Sequence, residues 1–220
     1  MEFIDVLRHR TFDTLDVTEY YPDLQGWMAE TFTEVFIDCI VHRDREEPLT
    51  IIEVGSWKGL SCSTMARLVK ELGFTRARII AIDTWLGAPE FWTTGMDDAT
   101  RGGGLQFHNG YPTVFYTFAK NMKVLGHDDL VAPFPISSQQ AVEVLHHYKI
   151  RADLIYVDAS HEYRPVKDDM DQFWTVLKPG GSMIGDDYHL NWPGVIQAVN
   201  EFGKGVVGSI TGIVWRFDKD

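Results

Sequence analysis

From Leu49 onward the chain alternates short apolar runs with segments of helical periodicity, and that alternation restricts the fold more than any other feature. The apolar runs are LTIIEVG from Leu49, RIIAID at 78–83, LVAPFPI at 130–136, DLIYVD at 153–158 and GSMIGD at 181–186. Helical patterns over Leu60 to Leu72, Pro112 to Leu125, Ser138 to Tyr148, Tyr163 to Leu177 and Pro193 to Phe202 separate or follow them. Parallel strands cannot be joined by tight hairpins, so this repetition predicts a mostly parallel sheet with helices on both faces. A closing pair of short runs, near 205–210 and 212–217, has only a Gly-containing break between its members. These are expected to form an antiparallel hairpin at one edge of the sheet, completing an α/β fold.

A chain of 220 residues, 45% of them hydrophobic, supports one globular core rather than two. Residues 49–220 are assigned to the α/β domain and residues 1–48 to an N-terminal helical extension. Within that extension residues 1–23 read as irregular. The stretch Leu24 to Val41 carries Leu24, Trp27, Met28, Phe32, Val35, Phe36, Cys39 and Ile40 at helical spacing. The polar run at 42–48 is a connector. Residues 84–112 fit no element: the segment is long, rich in Gly and aromatic residues, and follows a strand end, the usual place for a binding loop or lid.

Composition narrows the partners. With 20 Lys and Arg against 32 Asp and Glu the formal charge is −12, which on average repels nucleic acid and anionic membrane surfaces. No apolar run approaches the roughly 18 residues that a spanning helix requires, and MEFIDVLRHR lacks the layout of a secretory signal. Cys39 and Cys62 fall in predicted helices and form no CxxC pair, so neither a disulfide framework nor a zinc site is expected. A reducing, cytoplasmic setting suits these features. The aromatic residues of 1–40 would suit a partner surface, such as that of a homo-oligomer.

Two constellations carry chemistry. In the first, Glu53-Val54-Gly55-Ser56-Trp57-Lys58-Gly59-Leu60-Ser61 runs from a buried strand through a turn into a helix. Gly55 and Gly59 permit a tight turn and close approach of a ligand, and the helix N-terminus offers unpaired N–H groups. The segment matches neither GxGxxG nor a P-loop. The next strand ends in Asp83, where a carboxylate can accept both ribose hydroxyls of an adenosine cofactor.

In the second, Asp158 ends one strand while Asp186 and Asp187 follow another. A parallel sheet carries all three to its carboxyl edge, where open α/β folds bind ligands. Carboxylates gathered there repel one another unless a cation neutralises them, and oxygen donors favour a hard ion such as Mg²⁺, Ca²⁺ or Mn²⁺ over zinc. His161, three residues after Asp158, is placed to accept a proton beside that ion.

The pattern E-x-G-x-x-x-G-x-S followed by a strand-end Asp resembles class I S-adenosylmethionine-dependent methyltransferases, particularly the catechol-type metal-dependent O-methyltransferases. The resemblance implies a Rossmann-like methyltransferase fold with a seven-stranded sheet. It implies that Gly55 and Ser61 line the methionine end of S-adenosylmethionine, with Ser56 and Gly59 in the same turn, Glu53 nearby, Asp83 at the ribose, Thr84 as a further cofactor contact, and Trp85 over the adenine. Ser137, Ser138 and Gln139 are candidates for the adenine edge, although Ser-Ser is equally a helix N-cap. The metal set Asp158, Asp186 and Asp187 is similar to that of macrolide-sugar O-methyltransferases and a cephalosporin-biosynthesis methyltransferase. There the pair is usually Glu-Asp or Asp-Asn, so the Asp-Asp pair leaves open which member touches the metal. The macrolide-sugar enzymes carry a catalytic His at the offset of His161.

The implied reaction is methyl transfer to a hydroxyl of a small molecule, a sugar first and a catechol second, with Mg²⁺ as Lewis acid. A nicotinamide-dependent oxidoreductase is the first alternative, opposed by Trp57 where the dinucleotide fingerprint has a glycine. A catalytically silent cofactor-binding protein is the second. Tyr188, His189 and Trp192 follow the acid pair and are candidate substrate contacts. His127, His146 and His147 lack partners at ligand spacing. Asp168, Asp169 and Asp171 are expected on the wet face of their helix.

Overall fold

The computed structural model describes residues 2–93, 105–204 and 208–220. Its N-terminal part forms α1 (Phe3–Phe12) and α2 (Phe32–Ile40), followed by β1 (Leu49–Val54), α3 (Leu60–Glu71) and β2 (Ala77–Asp83). A short α4 (Pro89–Thr93) and a small ladder of β3 (Phe107–His108) with β4 (Tyr111–Pro112) come next. The chain continues through α5 (Val114–Val124), β5 (Val131–Pro135), α6 (Ser138–His147), β6 (Ala152–Val157), α7 (Tyr163–Trp174) and β7 (Leu177–Gly185). It closes with α8 (Pro193–Phe202), β8 (Gly208–Thr211) and β9 (Val214–Asp218).

The main sheet has seven strands in the order β5-β2-β1-β6-β7-β9-β8. β5, β2, β1, β6 and β7 pair in parallel, while β9 runs antiparallel to both β7 and β8. This is the predicted Rossmann-like architecture with its antiparallel pair at one edge. Alternate residues of each strand face opposite sides, so two cores form. Ile51, Ile79 and Leu154 pack with Phe32, Phe36 and Met65 on one face. Ile52, Ile80 and Ile155 pack with Leu145, Met170 and Phe173 on the other.

The N-terminal segment departs from its expected layout. Residues 1–23, read as irregular, include α1, whose Phe3 stacks on Tyr148 at 4.4 Å and meets Phe134 edge-on at 5.3 Å. Asp5 on α1 accepts a hydrogen bond from Arg78 at 2.8 Å, so even its charges are used for docking. The helix expected over Leu24 to Val41 forms only at Phe32–Ile40. Between α1 and α2 lies a strap of turns and extended chain containing Pro22 and Gly26, both poor in helix interiors. Its apolar residues find their contacts without helical periodicity: Ala29 is buried, and Leu15, Leu24 and Met28 pack against the core.

The acidic face of α7 is also corrected. Asp168 and Asp171 pair with Arg164 and Lys167 at 2.9 and 2.7 Å, but Asp169 is buried on the Val166, Met170 and Phe173 side. Within the segment 84–112, residues 94–104, the middle of the expected lid, lie outside the described residues; among the rest Trp85 and Leu105 are buried. Cys39 and Cys62 are buried free thiols. Among the described residues, no helix is long and apolar enough to cross a membrane.

Candidate active site

Strand register gathers the chemistry-bearing residues into one row. Ile82 pairs with Val54, Val54 with Val157, and Val157 with Gly185. One residue further along each strand stand Asp83, Gly55, Asp158 and Asp186. The β1–β6 boundary is where the strand order reverses, the usual ligand crevice of an open α/β sheet. At that boundary the Asp158 amide donates to the Val54 carbonyl at 2.8 Å. Gly55 has φ +90°, and a Cβ there would lie 2.1 Å from the Asp158 carbonyl oxygen. The glycine turn and the first acid are therefore in direct backbone contact.

The turn is fixed by Asp83. Its Oδ2 accepts from the amides of Ser56 and Trp57 at 3.0 and 2.9 Å, and its Oδ1 accepts from Trp85 at 2.7 Å. Asp83 thus clamps the turn through three backbone donors, and burial still leaves its carboxyl above the ordinary range. Thr84 is exposed and its hydroxyl accepts from the Leu86 amide at 3.2 Å. Trp85 is 1% exposed, donates Nε1–H to the Trp57 carbonyl at 2.7 Å, and packs on Phe115 and Phe118. Its ring belongs to the buried core cluster of that sheet face.

Glu53 is fully buried one residue before the end of β1, and burial pushes its carboxyl up to about 7. Ser61 at the start of α3 donates to Glu53 Oε1 at 2.5 Å. The Ser56 hydroxyl and the Cys62 thiol also face the Glu53 carboxyl, but Glu53 Oε2 and the Ser56 hydroxyl are buried without a well-formed hydrogen bond among the described residues. Such atoms are costly unless a bound group satisfies them, so the turn suits a ligand with polar substituents. Gly59 is the left-handed N-cap of α3. Ser137 caps α6 by accepting from the Gln140 amide at 3.4 Å, and Ser138 faces Asp169 of α7. The two serines therefore have structural work of their own.

The acid cluster lies on the other side of Gly55. One ligand atom each from Asp158, His161 and Asp187 lies within 4.8 Å of the other two. His161 Nε2 is 2.8 Å from Asp187 Oδ2, and its ring stacks on Trp192 at 4.0 Å. Asp158 accepts from the Tyr156 hydroxyl at 2.8 Å. Burial first, then repulsion from Asp186 and Asp187, pushes the Asp158 carboxyl up to about 8, with Tyr156 and His161 opposing. Asp186 is buried beside them: Oδ2 accepts from the Ala29 amide at 2.9 Å, and Oδ1 from the Asp187 amide at 2.8 Å. All three predicted acids and His161 are brought together, with charge that a hard cation would neutralise.

Tyr156 is a member of this site that sequence reasoning missed. Its signal was present: two residues before Asp158 on one strand, it shares the acid's face. Asn121, which ties the strap to the glycine turn, carried no sequence signal beyond being a polar residue in a helical pattern.

A methyltransferase-domain family matches residues 52–188, a span that runs from β1 through the acid pair. The chain belongs to this family. It is 22% identical over 167 residues to an uncharacterized protein of Acanthamoeba polyphaga mimivirus, covering 75% of this chain and 64% of that one. The chain thus spans less than two thirds of that relative. The O-methyltransferase NovP superposes with a TM-score of 0.61 at 16% identity, covering 99% of this chain and 98% of its own. The calicheamicin methyltransferase gives 0.60 at 16% identity, covering 97% and 91%. TomG of Streptomyces achromogenes, an O-methyltransferase of tomaymycin synthesis solved with S-adenosylmethionine, gives 0.57 at 13% identity, covering 100% and 91%. At these identities the likeness establishes a common fold.

Proposed function

We propose that this chain transfers the methyl group of S-adenosylmethionine to a hydroxyl of a small molecule, with a hard divalent cation, Mg²⁺ first, held by Asp158 and Asp187 beside His161. The observation that carries the reading is the packing of the glycine turn directly against the acid cluster at the Gly55–Asp158 contact. A donor bound in the turn and an acceptor bound at the acids would be neighbours, which is what an in-line displacement needs.

When bound, S-adenosylmethionine supplies an electrophilic methyl group and the cation lowers the pKa of a coordinated hydroxyl. The rest is assigned to the chain. Glu53 and Ser56 offer the unpartnered polar atoms for the cofactor's methionine end, and Asp83 holds the turn that presents them while serving the ribose side. Asp158 and Asp187 orient the acceptor oxygen. His161, its ring stacked on Trp192 and held by Asp187, is the base assigned to the hydroxyl proton. Burial first, and then repulsion from Asp186 and Asp187, keeps a proton on Asp158, so a cation entering the cluster would displace that proton and its uptake should strengthen as pH rises towards 8.

The test is calorimetry on the purified chain. S-adenosylhomocysteine should bind at one equivalent and NADH should not. Mn²⁺, used as a Mg²⁺ substitute, should bind wild type and lose affinity by more than about 10-fold in Asp158→Ala, with S-adenosylhomocysteine binding kept. Equal Mn²⁺ affinity in Asp158→Ala would refute the metal role; NADH binding in place of S-adenosylhomocysteine would refute the reaction class.

A further inference from the structure

The two adjacent acids after β7 do different jobs. Asp187 has φ +66°, a left-handed conformation that Asp tolerates better than most residues. Asp186 and Asp187 line one cavity with Asp158 and His161, and Asp186 Oδ2 also lies 3.5 Å from the Tyr156 hydroxyl that donates to Asp158, yet their main partners differ. Asp187 joins Asp158 and His161 in the group of mutually close ligand atoms, and Asp186 is absent from that group. Both Asp186 oxygens already accept backbone donors, Oδ2 from Ala29 in the strap and Oδ1 from Asp187 itself. Ala29 lies 157 residues away in sequence, so this is a tertiary tie rather than a local turn.

The other end of the strap is tied to the glycine turn. Gln25 Oε1 accepts from Trp57 Nε1 at 3.2 Å, and Asp23 pairs with Lys58 at 2.7 Å. Asn121 accepts from the Asp23 amide at 2.9 Å and donates to the carbonyls of Asp23 and Lys58, each at 2.7 Å. Residues 23–29 therefore bridge the turn and the acid cluster, and Asp186 is their anchor on the acid side.

We infer that Asp186 is a positioning residue that fixes the strap and the Asp187 backbone, and that Asp187, not Asp186, joins Asp158 in holding the cation, with His161 beside them. This deepens the reading given above and rests on it for the cation. It answers the question that the Asp-Asp pair left open, which of its two members touches the metal.

Two nearly isosteric variants separate the roles. Asp187→Asn suits the left-handed turn and should fold; Asp186→Asn keeps one carbonyl acceptor. In Asp187→Asn, Mn²⁺ affinity is expected to fall by more than about 10-fold, with amide hydrogen exchange at residues 24–31 unchanged. In Asp186→Asn, exchange at those residues should rise by about 10-fold while Mn²⁺ affinity falls by less than that, and Asp186→Ala should open the strap further. Ala29→Pro removes the same hydrogen bond from the donor side and should reproduce the Asp186→Asn pattern, which keeps the test open should the acid variants misfold. An Asp186→Asn protein that loses Mn²⁺ as strongly as Asp187→Asn, or that leaves the Ala29 amide as protected as in wild type, overturns the inference. A wild type that binds no Mn²⁺ overturns the cation reading and the Asp187 assignment with it, while the exchange data still decide the strap anchor.

Discussion

Asp158 and Asp169 are both carboxyls raised by burial, and their neighbours separate one kept for chemistry from one kept for packing. Asp158 reaches about 8 because Asp186 and Asp187 add repulsion to desolvation. Asp169 reaches about 6 from burial chiefly, with Ser138 opposing and only Asp168 adding repulsion. A carboxyl whose folded pKa exceeds its ordinary 3.8 holds its proton more tightly folded than unfolded. Its presence is then least costly below about pH 4, and stability is lost as pH rises towards and past 6. Asp169→Asn should accordingly match wild type near pH 4 and exceed it by about 1–3 kcal/mol at pH 8, measured by urea unfolding. Equal midpoints at pH 8 would mean that Asp169 is better solvated than its position on α7 indicates. Asp158 was legible because a strand-end acid in a parallel sheet has one place to go. Asp169 was not, because three acids within four residues carry the signature of a wet helix face, although this one falls in phase with Val166, Met170 and Phe173.

At the scale of elements, two glycine turns that look alike in the sequence have different burdens. Gly55 follows β1 with φ +90°, against the Asp158 carbonyl, while Gly73 follows α3 with φ +79° and nothing within 4 Å of an added Cβ. Gly73→Ala should cost only the left-handed strain, about 1 kcal/mol. Gly55→Ala adds a backbone collision that cannot relax without separating β1 from β6, and should cost about 3 kcal/mol or more. Denaturant midpoints of the two variants check this, and similar losses in both would contradict it. The strands and crossover helices were legible because burial on one or both faces imposes their period on the sequence. The N-terminal helices were legible only in part. Residues 24–31 have apolar residues at helical spacing, yet their backbone N–H groups and side chains are used on the glycine turn and on Asp186, so tertiary hydrogen bonds override the local pattern. In α1, only ten residues long, the periodicity is too short to stand out from the polar residues around it.

On the scale of the whole molecule, the first 48 residues share the core of the sheet domain: Phe12, Ala29, Phe32, Phe36 and Ile40 lie in one buried cluster with Ile51, Ile79 and Leu154. The site inherits that dependence, because the strap connects its two halves. Asn121 concentrates it. Fully buried on α5, it accepts from the Tyr20 hydroxyl and the Asp23 amide and donates to the carbonyls of Asp23 and Lys58. Removing its amide takes the partner from four groups, of which the Lys58 carbonyl is bonded in a buried place and the Tyr20 and Asp23 groups in partly buried ones. Asn121→Ala is therefore expected to lose about 2–4 kcal/mol, well above a typical buried hydrogen bond. Asn121→Asp should not rescue it, since a carboxylate cannot donate to the Asp23 and Lys58 carbonyls. The loss should appear first as a local event: under native conditions, protease cleavage within residues 13–31 should accelerate in Asn121→Ala before the global urea transition begins. If cleavage and midpoint both stay at wild-type values, the strap is held by its apolar contacts alone, and the link from the N-terminal segment through the glycine turn to the acids is not made by Asn121.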